Sequence, residues 1–68
     1  MAIKRIGETI RLRRKELGIT QPDLADLAGI SINTLYKLER GQGNPSLDVI
    51  TKVATVLGMQ LKLEINKP

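Results

Sequence analysis

The sequence predicts an all-α domain of four short helices, spanning residues 1–58. A C-terminal β-strand and tail, residues 59–68, is expected to pair between subunits. Three observations carry this expectation. Apolar residues recur at three- and four-residue spacing in four separate segments, as they do on a helix with one buried face. Glycines at 18, 29, 41 and 58 close those segments one after another. After Gly58 the apolar period changes to two, which is the period of a half-buried strand.

The first helix carries Ile3, Ile6, Ile10 and Leu17 on one stripe, with Arg13 or Arg14 filling the missing turn. Leu12 falls off that stripe, either as a lone exposed leucine or as a partner contact. Thr20 is an N-cap for the second helix. Pro22 is tolerated in its first turn, and Asp23 places a carboxylate at the third helical position, where it favours a helix start. Leu24, Leu27 and Ala28 form the expected buried face. Ser31 caps the third helix, which turns Leu35 and Leu38 inward and Ile32, Asn33, Tyr36 and Lys37 elsewhere. The loop Gly41-Gln42-Gly43-Asn44-Pro45 is dense in turn residues. Ser46 then caps a fourth helix with Leu47, Ile50, Val53, Ala54 and Leu57 as its apolar face.

In the tail, Met59, Leu61, Leu63 and Ile65 alternate with polar residues. No other segment reads as a strand, and a solitary strand leaves its backbone donors and acceptors unpaired. The same strand of a second copy, antiparallel about a two-fold axis, is the simplest partner. A fifth helix or a disordered tail is the rival reading.

Composition narrows the function. At 68 residues the chain holds one core and buries only ~60% of its unfolded surface, so the monomer is marginal. Small domains usually add a disulfide, a metal or a partner subunit. The chain has no cysteine and no histidine, which removes the disulfide and the commonest metal ligands and leaves a partner subunit. The same absences remove a histidine base and a cysteine nucleophile, so neither an enzyme nor a cofactor is expected. Eleven Lys and Arg against seven Asp and Glu give a net charge of +4 and a pI near 9.9. A pI above ~9 is an electrostatic footprint of nucleic-acid binding, although anionic membrane surfaces also accept basic proteins. Six of the eleven basic residues (Lys4, Arg5, Arg11, Arg13, Arg14, Lys15) lie in the first fifteen positions. Lys4, Arg5 and Glu8 interrupt any secretory signal, and no apolar run approaches the ~20 residues of a membrane helix. A cytoplasmic protein is expected.

The informative stretch runs from Gln21 to Arg40, QPDLADLAGISINTLYKLER. Two short helices meet at a three-residue turn containing Gly29, and such a turn sets helices at ~90–120°. Ala25 is small enough for close helix approach, and Ala28, Ile30, Leu35 and Leu38 close a small core between the pair. Gly41-Gln42-Gly43 looks like the start of a glycine-rich phosphate loop. No glycine follows at position 46 and no strand precedes it, so a nucleotide site is not expected.

Thr20-Gln21, Leu24-Ala25, Gly29-Ile30-Ser31 and Leu38-Glu39-Arg40-Gly41, followed by Asn44-Pro45-Ser46, resemble the Cro/repressor-type helix-turn-helix family, also called the xenobiotic-response-element family. The resemblance covers roughly Ile6 to Gly58. It implies a lambda-repressor-like four-helix domain, a DNA-binding transcriptional regulator and usually a dimer. The alternating tail, where many members carry a fifth helix, is similar to the subgroup that includes antitoxins of toxin–antitoxin pairs. There a C-terminal strand joins two subunits, which puts Met59, Leu61, Leu63 and Ile65 at the expected dimer interface.

By that resemblance the third helix enters the major groove by its N-terminal end. Asn33 is placed to pair with adenine, Lys37 to reach guanine, and Ile32 to meet a thymine methyl. A solvated helix face is the plain alternative for all three. Gln21 resembles the family glutamine that clamps a phosphate and braces the recognition helix. Ser31, Thr34, Tyr36, Arg40, Gln42 and Asn44 are further phosphate candidates. Tyr36, the single aromatic residue, is equally a cover for the helix-pair core. Arg14 and Glu39 match the family's buried ion pair between the first and third helices. The expected function is a homodimeric repressor of a palindromic operator on double-stranded DNA. The second reading is an antitoxin that represses its own operon and holds a toxin protein. A basic amphipathic module on membranes ranks third, because the first helix needs its apolar stripe for the core.

Overall fold

The computed structural model describes residues 3–62. They form α1 (Ile3–Glu16), α2 (Gln21–Ala28), α3 (Ile32–Glu39) and α4 (Leu47–Val56). α1 packs across α3, and α2 packs against both α3 and α4. The four expected helices are present in order, and local chemistry explains their ends. Thr20 and Asp23 form a reciprocal capping box: the Asp23 N–H donates to Thr20 Oγ1 (3.2 Å), and the Thr20 N–H donates to Asp23 Oδ2 (3.4 Å). Ser31 and Ser46 cap α3 and α4 by accepting from the N–H groups of Thr34 (3.0 Å) and Val49 (3.1 Å). Each such cap is worth ~1 kcal/mol against alanine.

Gly29 decides the turn between α2 and α3. Its φ of 70° is left-handed, and the Ile30 N–H reaches back to the Ala25 carbonyl at 3.0 Å. That 6→1 bond closes α2 as a Schellman motif, and α3 starts three residues after Gly29, at Ile32. A residue with a Cβ would hold this φ only under strain.

The core draws on all four helices: Ile10 from α1; Leu24, Ala25 and Ala28 from α2; Leu35 and Leu38 from α3; Ile50 and Val53 from α4; and Leu57 just beyond it. Three expected core leucines lie outside. Leu17 follows the last residue of α1 and is exposed. Leu27 is 65% exposed, because Leu24, Ala25 and Ala28 set the inner face of α2 and Leu27 lies to one side of it. Leu47 is 68% exposed, since it opens α4 before that helix meets the others. Leu12 is exposed, as its position off the stripe implied.

The expected strand falls partly outside the description. Leu63 and Ile65 lie beyond the described residues, and Met59 to Lys62 carry no strand pairing. The in-out alternation nonetheless holds there. Met59 and Leu61 are half-buried against the core of their own chain, while Gln60 and Lys62 are exposed.

Candidate nucleic-acid interface

α3 is held by its inner face and displays its outer one. Leu35 and Leu38 are buried in the core, and Glu39, also on the inner side, is 4% exposed. Ile32, Asn33, Tyr36, Lys37 and Arg40 are all exposed. At 3.6 residues per turn those five fall within an arc of about 140°. One continuous helix face therefore carries an aliphatic group, an amide, a phenol and two cations. Asn33 and Lys37, the expected base readers, both lie on it. Ile32 is half-exposed, whereas Ile6, Ile10, Ile19, Ile30 and Ile50 are more deeply buried, so it is available to an outside apolar surface.

Ser31 and Thr34 stand at the leading end. Their hydroxyls share a hydrogen bond of 2.8 Å, and Ser31 also accepts the Thr34 N–H. Both are engaged in capping, yet each hydroxyl keeps further hydrogen-bonding capacity. At the trailing end the Arg40 guanidinium lies 5.3 Å from the centroid of the Tyr36 ring. Tyr36 is 46% exposed, so it does not serve as a lid on the helix-pair core. Gln42 and Asn44 are exposed in the loop that follows. The Gln42 backbone N–H donates to the Lys37 carbonyl at 2.8 Å, which tethers the start of this loop to α3.

A buried polar knot fixes α3 in place. The Glu39 carboxylate accepts from Arg14 Nε at 2.7 Å and from Arg14 Nη2 at 3.0 Å, and Gln21 Nε2 donates to it at 3.0 Å. Arg14 Nη1 also donates to the Ile19 carbonyl at 3.1 Å. α1, α2 and α3 thus meet at one carboxylate. The Glu39 side chain is 1% exposed and that of Arg14 is 11% exposed. Every buried side-chain nitrogen or oxygen among the described residues has a partner. The hydrogen bond to Glu39 holds the Arg14 guanidinium above its ordinary pKa. The stabilisation from a raised cation is complete below its unfolded pKa and fades only as pH climbs through the higher folded one. Arg14 therefore stays charged across the whole neutral range.

The Arg14–Glu39 pair expected from the resemblance is present. Gln21 braces the knot from the first residue of α2, and its Nε2 has a second hydrogen for an anion. Two further residues escape a sequence reading. Arg13 Nε donates to the Leu57 carbonyl at 3.0 Å and so brings a cation to the C-terminal end of α4. The doubled arginine at the gap in the apolar stripe was its one signal. Gly7 is buried where α1 crosses the last turn of α3, and a glycine in mid-helix beside Ile6 was its signal. Two of the six basic residues near the N-terminus, Arg13 and Arg14, are thus engaged inside the domain.

Among the described residues, no helix is long and apolar enough to cross a membrane. The family model described as helix-turn-helix matches residues 10–63. An HTH-type transcriptional regulator of Methanothermobacter thermautotrophicus is 43% identical over 51 residues, covering 75% of this chain and 74% of its own. The immunity repressor protein of Bacillus phage phi105 is 41% identical over 56 residues, 82% of this chain and 39% of its own. The regulator SinR of Bacillus licheniformis is 36% identical over 63 residues, 91% of this chain and 57% of its own. The chain therefore spans well under two thirds of the two bacterial and phage regulators. Among solved structures, the clp gene regulator ClgR of Corynebacterium glutamicum superimposes with a TM-score of 0.82 at 28% identity, covering 90% of this chain and 78% of that one. The matched span takes in the last turns of α1, all of α2, α3 and α4, and the exposed α3 face, and on that ground the chain belongs to the Cro/repressor-type helix-turn-helix family of DNA-binding transcriptional regulators.

Proposed function

We propose that this chain is a sequence-specific repressor that binds a two-fold symmetric operator as a homodimer, with α3 as the recognition helix in the major groove. The observation that carries the reading is the α3 face itself. Five exposed side chains stand on a helix whose opposite side is locked by Leu35, Leu38 and the Glu39 knot. A base-reading helix needs both properties, because loose positioning would blur the geometry of bidentate contacts. Ile32, Asn33 and Lys37 are assigned to base edges. Gln21, Ser31, Thr34, Arg40, Gln42 and Asn44 are assigned to the phosphate side, and Tyr36 to a place against Arg40 rather than against the phosphate itself. The sequence relatives are regulators and repressors, which favours the repressor reading over the antitoxin one.

Selection from a randomised duplex pool tests the proposal and names the operator. A palindromic consensus is expected, with half-sites ~34–36 Å apart centre to centre. Affinity should fall steeply with salt, by a log–log slope of ~0.9 for each phosphate neutralised. Equal affinity for the selected and random duplexes would overturn the reading. Asn33→Ala is expected to cost ~1–3 kcal/mol on the selected site and to relax preference at one position. Gln21→Ala should weaken all duplexes alike.

Pairing of the tail, through Met59, Leu61, Leu63 and Ile65, is the proposed route to the dimer. Sedimentation of the full chain is expected to show a dimer, and of the chain truncated after Gly58 a monomer. Met59 and Leu61 also pack on their own core, so circular dichroism should accompany the comparison. If both chains sediment as dimers, the tail is not the interface.

A further inference from the structure

We infer that Tyr36 is a positioning residue that holds the Arg40 guanidinium in place to clamp a DNA phosphate. The inference rests on the duplex-binding reading and deepens it. Arg40 follows the last residue of α3, yet its backbone stays near-helical at φ −90° and ψ 0°, with its N–H on the Tyr36 carbonyl at 3.2 Å. Residues four apart on such a backbone stand one above the other. The guanidinium accordingly lies over the Tyr36 ring, 5.3 Å from its centroid, within the ~6 Å range of cation–π attraction.

Of the four other arginines, Arg5 and Arg11 form no ion pair among the described residues, whereas the two beside each other in α1 are engaged. Arg13 is paired with Glu16 and the Leu57 carbonyl, and Arg14 with Glu39 and the Ile19 carbonyl. Among the described residues Arg40 forms no ion pair, and its guanidinium donates no hydrogen bond. Among the described residues, the guanidinium is placed by its contact with the ring. An aromatic face satisfies the flat side of a guanidinium and leaves the N–H fork at its edge open. That fork matches two phosphate oxygens. A long arginine loses rotamer freedom when it takes an anion, and the ring removes part of that loss beforehand. Arg40 and Tyr36 sit near the middle of the exposed α3 arc, between Asn33 and Lys37 on one side and Ile32 on the other. The clamp therefore acts beside the base-reading positions and sets how α3 rests against the backbone.

Binding of a fluorescent mixed-sequence duplex across a salt series tests this, with Tyr36→Leu, Tyr36→Phe, Arg40→Gln and the Tyr36→Leu/Arg40→Gln pair. Tyr36→Leu is expected to weaken binding about two- to five-fold, while Tyr36→Phe, which keeps the ring, stays near the original chain. Arg40→Gln should lower the salt slope by ~0.9, and Tyr36→Leu should add nothing in that background. In the free protein, the Arg40 δ-methylene proton resonances should be shifted by the ring, retained in Tyr36→Phe and lost in Tyr36→Leu. A Tyr36→Phe variant as weak as Tyr36→Leu would assign the effect to the hydroxyl and overturn the inference. So would strictly additive losses in the double variant. If the original chain binds no duplex, the DNA reading falls and the clamp falls with it. If it binds and Tyr36→Leu binds equally well, the clamp alone falls.

Discussion

Glu39→Ala is expected to destabilise the domain by about 3–5 kcal/mol in urea unfolding at neutral pH. The substitution removes the carboxylate of a side chain that is 1% exposed and leaves Arg14, whose side chain is 11% exposed, without its counter-charge. It also strips Gln21 Nε2 of its acceptor. A chain of this length should have a total stability of about 3–10 kcal/mol. The variant would therefore populate the unfolded state measurably at room temperature. A loss below about 1 kcal/mol is the range of solvated surface pairs and would contradict the burial of this one. Replacing both partners separates the cost of an orphaned charge from the worth of the pair. Arg14→Met with Glu39→Leu is expected to lose much less than the single truncation, because no unpaired charge remains. Double-variant coupling of this kind is read from the same unfolding curves.

Gly7→Ala tests packing against intrinsic preference and gives them opposite signs. In an exposed helix the substitution gains ~1 kcal/mol, since glycine gives up more backbone freedom than alanine. Here the added Cβ would overlap the Leu38 carbonyl oxygen and lie 3.0 Å from the Glu39 carbonyl oxygen. Both obstacles are backbone of the last turn of α3, so no rotamer change relieves them. α1 would have to lift from α3, and the Arg14–Glu39 contact bridges those same two helices. A net loss of about 1–3 kcal/mol is expected, as for other overpacked sites. The matching control is Thr9→Ala on the exposed side of α1, expected to follow propensity within a few tenths of a kcal/mol. A Gly7→Ala variant more stable than the original chain would show that the two helices separate freely. On the proposed reading, duplex binding measured well below the melting temperature should weaken as well, because the Arg14–Glu39 contact that ties α3 to α1 would loosen.

The helices and their ends were legible because capping is local. Thr20 with Asp23, Ser31 and Ser46 each act within three residues of their own position, and each does so in the fold. The exposed face of α3 was legible for a related reason. Once Leu35 and Leu38 take the inner side of α3, helical geometry sends Ile32, Asn33, Tyr36 and Lys37 elsewhere. Three leucines misled the apolar pattern at the margins. Leu17 and Leu47 stand where a helix has ended or has not yet met its neighbours, and Leu27 lies beside a face that alanines fill. Periodicity records which residues are apolar. It does not record where another helix stops covering them.

Sequence by itself determined four short helices, a tight left-handed bend at Gly29 and a basic chain with neither cysteine nor histidine. These follow from interactions between near neighbours, or from composition alone. Tertiary structure decided what two adjacent arginines do: one reaches the C-terminal end of α4, the other Glu39 on α3. It also decided that mid-helix Gly7 is a crossing point, and that the first half of the alternating tail turns Met59 and Leu61 onto its own core. Each depends on which distant segment lies opposite, and that is settled only when four amphipathic faces share one small volume.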